Sequence, residues 1–251
     1  MTVWLVVLSA VLGAVFGSFL CCFAARRAAN ESVLRGRSHC DACGHVLGPL
    51  DLVPVFSWLL LRGKCRYCGA RIPASALWAE LVLAAAFAAA AWRFGFSFET
   101  LRAFGLFCVL LPISLIDLHS YEIPDGCIIF GIAWWAATLP LMPDAWTWRL
   151  LWTVVAAFAI AGGILLLSLL MDRVLGKESL GGGDIKLFFM VSLYLGPMVG
   201  LLNLVLACLL GLVFTALRRA NRIPFGPAIS LASCLSLLFG RIAADWYLGL
   251  F

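Results

Sequence analysis

Apolar positions run almost without interruption through most of this chain, and polar ones gather in a few short stretches. Continuous apolar runs lie near residues 3–23, 76–92, 101–117, 127–142, 150–171, 200–217 and 227–247. Each is close to the ~20 residues a helix needs to cross about 30 Å of hydrocarbon. An eighth run, 185–195, is cut short by Gly196-Pro197, where proline cannot continue a helix. The pattern predicts an all-α, polytopic membrane protein with about eight transmembrane helices. Composition agrees: 64% of the 251 residues are hydrophobic and 12% charged, and the mean hydropathy is +1.04, far from the balance of a soluble domain.

Basic residues orient the spans, because cytoplasmic loops retain Lys and Arg. With the N-terminus outside, the loops 24–75, 172–186 and 218–226 face the cytoplasm and hold 14 of the 18 basic residues. Arg93, Arg102, Arg149 and Arg241 are left over. The net charge of +5 is therefore a topology signal and argues for no nucleic-acid partner. The first run lacks the small-residue cleavage site of a signal peptide and is stopped by Arg26-Arg27, so it reads as a retained span.

Between the first two spans lies one water-facing module. It carries SHCDACG at 38–44 and GKCRYCG at 63–69. Cys40, Cys43, Cys65 and Cys68 form two CxxC knuckles at the spacing of four-thiolate zinc ribbons, in which each knuckle offers two sulfurs to one tetrahedral ion. Gly44 and Gly69, one residue past each knuckle, suit the tight turns required. A reducing cytoplasm disfavours disulfides, and so short a loop has little core without metal. The spacing points to structural Zn, with a redox CxxC as the alternative. His39 and His45 flank an already complete shell. Cys21, Cys22, Cys108, Cys127, Cys208 and Cys234 sit in apolar runs as small hydrophobes.

Carboxylates at a membrane boundary are costly and mark function. Asp117 ends the third span in SLIDLHSYEIPDG, and Asp184 follows Gly181, Gly182 and Gly183 in LGGGDIKLFF. Tracing the spans puts both acids at the cytoplasmic face. Two carboxylates held close share a proton, so that one can act as base on water while the other donates to a scissile carbonyl. The glycines would let the backbone leave helical geometry and admit an extended substrate strand. The competing reading makes Asp184 an N-cap. Asp125, after Pro124, competes with Asp117 as the partner acid.

Taken in order, these residues resemble the type IV prepilin leader peptidase family, membrane aspartyl proteases of the GxGD group. The resemblance rests on Gly17-Ser18-Phe19-Leu20, the two knuckles, Asp51, Pro54, Arg71, Glu80, the stretch Asp117 to Asp125, Gly181 to Leu187, and Ile223-Pro224-Phe225-Gly226-Pro227. It implies an endopeptidase of the bacterial cytoplasmic (inner) membrane, with its active site at the cytoplasmic face. Such an enzyme cleaves the leader from type IV prepilin or pseudopilin precursors and N-methylates the new terminus with S-adenosyl-L-methionine. It also implies that Asp117 and Asp184 are the catalytic pair, that Gly181, Gly183 and Lys186 support them, and that Glu80 is tied to methyl transfer. Cys21, Leu77-Trp78 and Ser179 depart from the family's usual residues, the first two near the methyl-transfer half. Residues 1–75 would form the first helix and its zinc loop, and 76–251 the protease domain. Cleavage without methyl transfer, a proton-coupled transporter and a non-catalytic scaffold are the alternatives.

Overall fold

The structure is a computed structural model that describes residues 2–29, 31, 38–141, 148–176, 180–218 and 224–249. Its helices are α1 (Thr2–Ala28), α2 (Phe56–Leu60), α3 (Ala74–Phe94), α4 (Phe98–Ser120), α5 (Asp125–Thr138), α6 (Trp148–Leu175), α7 (Gly182–Arg218) and α8 (Gly226–Leu248). Six of them are long and apolar enough to cross a membrane, and Asp125–Leu141 is shorter. The chain is thus a multi-pass membrane protein, as its apolar runs predict.

The expected count of about eight differs from six for a local reason. The runs 185–195 and 200–217 both lie in α7, which is interrupted at Gly196, where φ is 76°. A Cβ built on Gly200 would lie 3.6 Å from Ser192 Oγ, whereas eight residues along a straight helix span about 12 Å. The chain therefore turns back at Gly196-Pro197, and α7 is two antiparallel pieces. Left-handed backbone with a following proline is what makes the turn so abrupt. The first piece rises only about 21 Å, too short for the whole hydrocarbon layer. α5, with 14 residues, is equally short.

α4 is the centre of the bundle: 56% of its apolar window is buried, against 17% for α1 and for α6. Ser97 caps its first turn by accepting the Thr100 N–H at 3.3 Å, and Tyr121 ends it in left-handed geometry. Its inner face, Leu106, Phe107, Leu110 and Ile113, packs with Leu83 and Phe87 of α3, Leu187, Phe188 and Val191 of α7, and Ile229 of α8. α1 and α6 expose Trp4, Leu8, Phe158, Leu166 and Leu167, the apolar coat expected where lipid is the solvent. α1 lies against α3 so closely that a Cβ on Gly17 would come within 2.7 Å of the Glu80 Cα.

Candidate active site

The knuckle module is held by short-range bonds that its sequence foretells. Gly44 N–H donates to the Cys40 carbonyl at 2.8 Å and Gly69 N–H to that of Cys65 at 3.0 Å. Both glycines have the positive φ expected of them. The sulfurs of Cys40, Cys43, Cys65 and Cys68 lie within 4.8 Å of one another, with Cys40 and Cys68 3.8 Å apart. Tetrahedral sulfurs about 2.3 Å from zinc lie about 3.8 Å apart, so this cluster fits such an ion. The electrostatics agree. Backbone N–H groups of Cys43 and Ala42 aimed at Cys40 bring its thiol down to about 7. Cys68 accepts the Ala70 N–H, which lowers it, yet burial and shared hydrogen bonds with Cys43, Cys65 and Cys40 hold it up at about 11. Four sulfurs crowded within 4.8 Å of one another suit a cation held among them.

Asp51 fastens this module. Its Oδ2 accepts the Gly48 N–H at 3.1 Å and the Tyr67 hydroxyl at 3.2 Å, and its Oδ1 pairs with Arg66 Nε at 3.0 Å. The His45 and Tyr67 rings meet at 3.7 Å, joining the two knuckles, so His45 serves packing. Glu80 on α3 is buried, and its Oε2 accepts the Val55 N–H at 2.7 Å. Val55 has φ 63°, a conformation unfavourable for a β-branched residue that this bond helps hold. Asp51, Trp58, Arg66, Leu77 and Glu80 line a cavity of about 150 Å³, and the Trp58 indole N–H is buried in it without a partner.

Asp117 and Asp184 stand at facing helix ends. Asp117 is 5% exposed in the last turns of α4. Its Oδ2 accepts the N–H of Gly226 at 2.7 Å, the first residue of α8, so that helix points its positive end at the carboxylate. A Cβ on Gly226 would come within 2.8 Å of that oxygen. Asp184, half-buried in the first turn of α7, lies close enough to Asp117 for the two charges to act on each other. Nothing in the sequence connects Gly226 with Asp117, 109 residues away, beyond the glycine and proline of Pro224-Phe225-Gly226-Pro227.

The competing N-cap reading of Asp184 and the expected break at the glycines both change. Asp184 is the third residue of α7, not its N-cap. Gly182 and Gly183 are helical, and none of Gly181, Gly182 and Gly183 has a positive φ, so the glycines do not break the helix. Two of them act by proximity. A Cβ on Gly183 would lie 3.0 Å from Ile123 Cβ, in the Asp117–Asp125 stretch, and one on Gly181 would lie 3.3 Å from Asp184 Oδ2. Gly183 lets the two acid-bearing segments come together, and Gly181 leaves room for the Asp184 carboxylate on its own segment. Lys186 Nζ pairs with Asp125 Oδ1 at 2.7 Å, with both side chains more than half exposed. Asp125 is thereby occupied at the surface while Asp117 faces Asp184. Ser179 lies outside the described residues.

Two substitutions separate these roles. Gly226→Ala should lower any cleavage at this site about tenfold or more, the cost of displacing one hydrogen bond to a buried charge, in a rate assay on membranes with equal protein. Asp125→Asn should leave cleavage within about threefold of wild type, because an exposed pair contributes little.

The domain description "Bacterial Peptidase A24 N-terminal domain" matches residues 11–94, and "Type IV leader peptidase family" matches residues 104–216. The chain is 33% identical over 246 residues to the prepilin leader peptidase/N-methyltransferase of Bacillus subtilis (strain 168), covering 95% of this chain and 96% of that relative. The chain belongs to the type IV leader peptidase family. Its relative in Aeromonas hydrophila, also named prepilin leader peptidase/N-methyltransferase, is 34% identical over 226 residues, covering 84% of this chain and 74% of that protein. No solved structure matches. The two matched regions divide the site: the family's N-terminal domain holds the four cysteines and Glu80, and the peptidase region holds Asp117 and Asp184.

Proposed function

We propose that this chain is a prepilin leader peptidase and N-methyltransferase of the bacterial inner membrane, with Asp117 and Asp184 as its catalytic pair. The observation that carries the assignment is the meeting of these two acids at the α4, α7 and α8 ends, with the Gly226 N–H fixing one of them.

The chemistry follows from the pair. A water between the carboxylates loses a proton to one of them as its oxygen adds to the scissile carbonyl carbon. The other carboxylate donates its proton to the carbonyl oxygen. Collapse of the tetrahedral adduct breaks the C–N bond, and the leaving amine takes up a proton from the pair. No nucleophilic side chain is needed. Gly183 keeps the two acid-bearing segments close, Gly181 leaves room beside the Asp184 carboxylate, and the Lys186–Asp125 pair ties the same segments at the surface. The distribution of basic residues favours the cytoplasmic face for this site. The hydrophobic helix of a pilin or pseudopilin precursor would lie along the apolar spans while its basic leader stays in the cytoplasm.

Methyl transfer would belong to the N-terminal part, 1–75, together with Glu80. Cys40, Cys43, Cys65 and Cys68 would hold structural zinc, which supplies folding energy to a loop with little core. The orphan Trp58 N–H and the carboxylates of Asp51 and Glu80 suit a cationic, hydrogen-bonding donor such as S-adenosyl-L-methionine. Cys21 lies near enough to Glu80 to sense its charge, and Leu77 lines the same cavity, so both departures from the family's usual residues fall beside this site.

The reading is tested in bacteria lacking their own leader peptidase. Co-expression of the chain with a prepilin-like precursor should convert the precursor to the shorter mature form on a gel. An unprocessed precursor, with the chain present in the membrane and substrates of several pilin classes tried, would favour a transporter or scaffold instead.

A further inference from the structure

The bundle has a second polar centre at its opposite end. A cavity of about 320 Å³ opens there, lined among others by Glu99, Arg102, Trp135, Tyr194, Ser236 and Arg241, and its size is within the roughly 300–1,000 Å³ of small-molecule sites. Arg102 is some fifteen residues before Asp117 on α4, about 22 Å along the helix, so this cavity is separate from the aspartates. It also collects two of the four arginines that the orientation of the chain leaves on the outer side. A third, Arg93, donates from Nε to the Leu238 carbonyl at 3.1 Å, next to the cavity-lining Phe94 and Leu237.

The charges here do not balance within the described residues. Arg241 pairs with Glu99 at 3.6 Å, but among the described residues no carboxylate lies in ion-pair contact with Arg102. Its terminal nitrogen donates to the Leu193 carbonyl at 3.2 Å, and its guanidinium sits 5.8 Å from the Trp135 ring and 5.2 Å from that of Tyr194. Its Nε is buried without a partner. Ser236, 2% exposed, also has a buried hydroxyl without a partner. A guanidinium without a counter-ion inside a membrane bundle is costly, and unpaired buried donors add to that cost. An anion with several acceptor oxygens would answer the Arg102 guanidinium and the Ser236 hydroxyl at once, and guanidinium forks match phosphate geometry.

We propose that this outer cavity binds a phosphate-bearing anion, held by Arg102, Arg241 and the Ser236 hydroxyl. The inference does not depend on the leader-peptidase reading. Two sources share this chemistry, an outer-leaflet phospholipid headgroup and free phosphate.

The test uses the full chain, purified and stripped of lipid in neutral detergent. Short-chain phosphatidylglycerol and, separately, inorganic phosphate are titrated while thermal unfolding and native mass are recorded. One bound phosphatidylglycerol with a raised Tm identifies a lipid site, and a raised Tm with inorganic phosphate identifies the free anion. Either supports the proposal if Arg102→Gln and Arg241→Gln each weaken the response about tenfold, the value of one charge-assisted contact, and Arg102→Lys weakens it less. Gln is two bonds shorter than Arg and gives up the Leu193 bond together with the charge, so Arg102→Lys, which keeps the charge, is the comparison that isolates it. Should Arg102→Gln fail to fold, the exposed Arg241→Gln and the small change Ser236→Ala carry the test. No response to either probe in wild type, or equal responses in the variants that fold, would overturn the proposal.

Discussion

Asp117→Asn and Asp184→Asn should each abolish leader cleavage while leaving the protein in the membrane at wild-type levels. Each acid has to carry or release a proton during the reaction, and asparagine can do neither. Loss of one general acid or base lowers a rate by roughly a thousandfold, about 4 kcal/mol of transition-state stabilisation. Stability should change far less. The asparagine oxygen can accept the Gly226 N–H that Asp117 Oδ2 now accepts at 2.7 Å, and the new side chain fills the same volume. Quantitative gels of precursor and mature product, normalised to membrane protein, measure the effect. Measurable processing by both variants would remove the pair from the mechanism, and Asp125→Asn serves as the paired surface control.

The second large effect is expected at the knuckles. Cys65 is the buried sulfur of the four, so Cys65→Ser should empty the cluster of metal and loosen residues 38–72. Structural zinc contributes on the order of 10–16 kcal/mol to small domains, more than the rest of so short a loop can replace. Metal analysis of protein purified without chelators should show about one zinc per chain in wild type and close to none in the variant. Limited proteolysis should open the loop in the variant while the bundle persists. Acid should do the same to wild type. The Cys40 thiol, at about 7, keeps its thiolate above that pH and loses it as pH falls, so metal should leave on acidification and return on neutralisation. A Cys65→Ser protein that retains full zinc, or a wild type that never carries it, would contradict the account. Methylation should fail before cleavage does, because Asp51 and Glu80 bind the loop while Asp117 and Asp184 sit in the bundle.

What was legible in the chain follows the range of the interactions involved. The knuckles could be read because their ligands are three residues apart and their turn glycines follow directly. The spans could be read because hydrocarbon imposes a length. The break at Gly196-Pro197 was visible, but the reversal of direction there depends on Gly200 packing beside Ser192 and was not. The facing of Asp117 and Asp184 was inferable as a shared side of the membrane. Their actual meeting depends on Gly183 against Ile123 and on Gly226 at Asp117, contacts across 60 and 109 residues that leave no periodic trace. The glycine triplet is misleading for the same reason: glycine before a carboxylate suggests freedom of backbone, whereas the structure uses its lack of a side chain. Lys186 and Asp125 were each singled out, yet only the fold shows that they neutralise one another.

The most direct test combines purified protein, a prepilin-like precursor and S-adenosyl-L-methionine, with the products weighed by mass spectrometry beside those of Asp184→Asn. Wild type should release the leader and add one methyl group to the mature chain, and Asp184→Asn should leave the precursor intact. An intact precursor with wild type, or a released leader with Asp184→Asn, would contradict the claim that these two acids make the chain a leader peptidase.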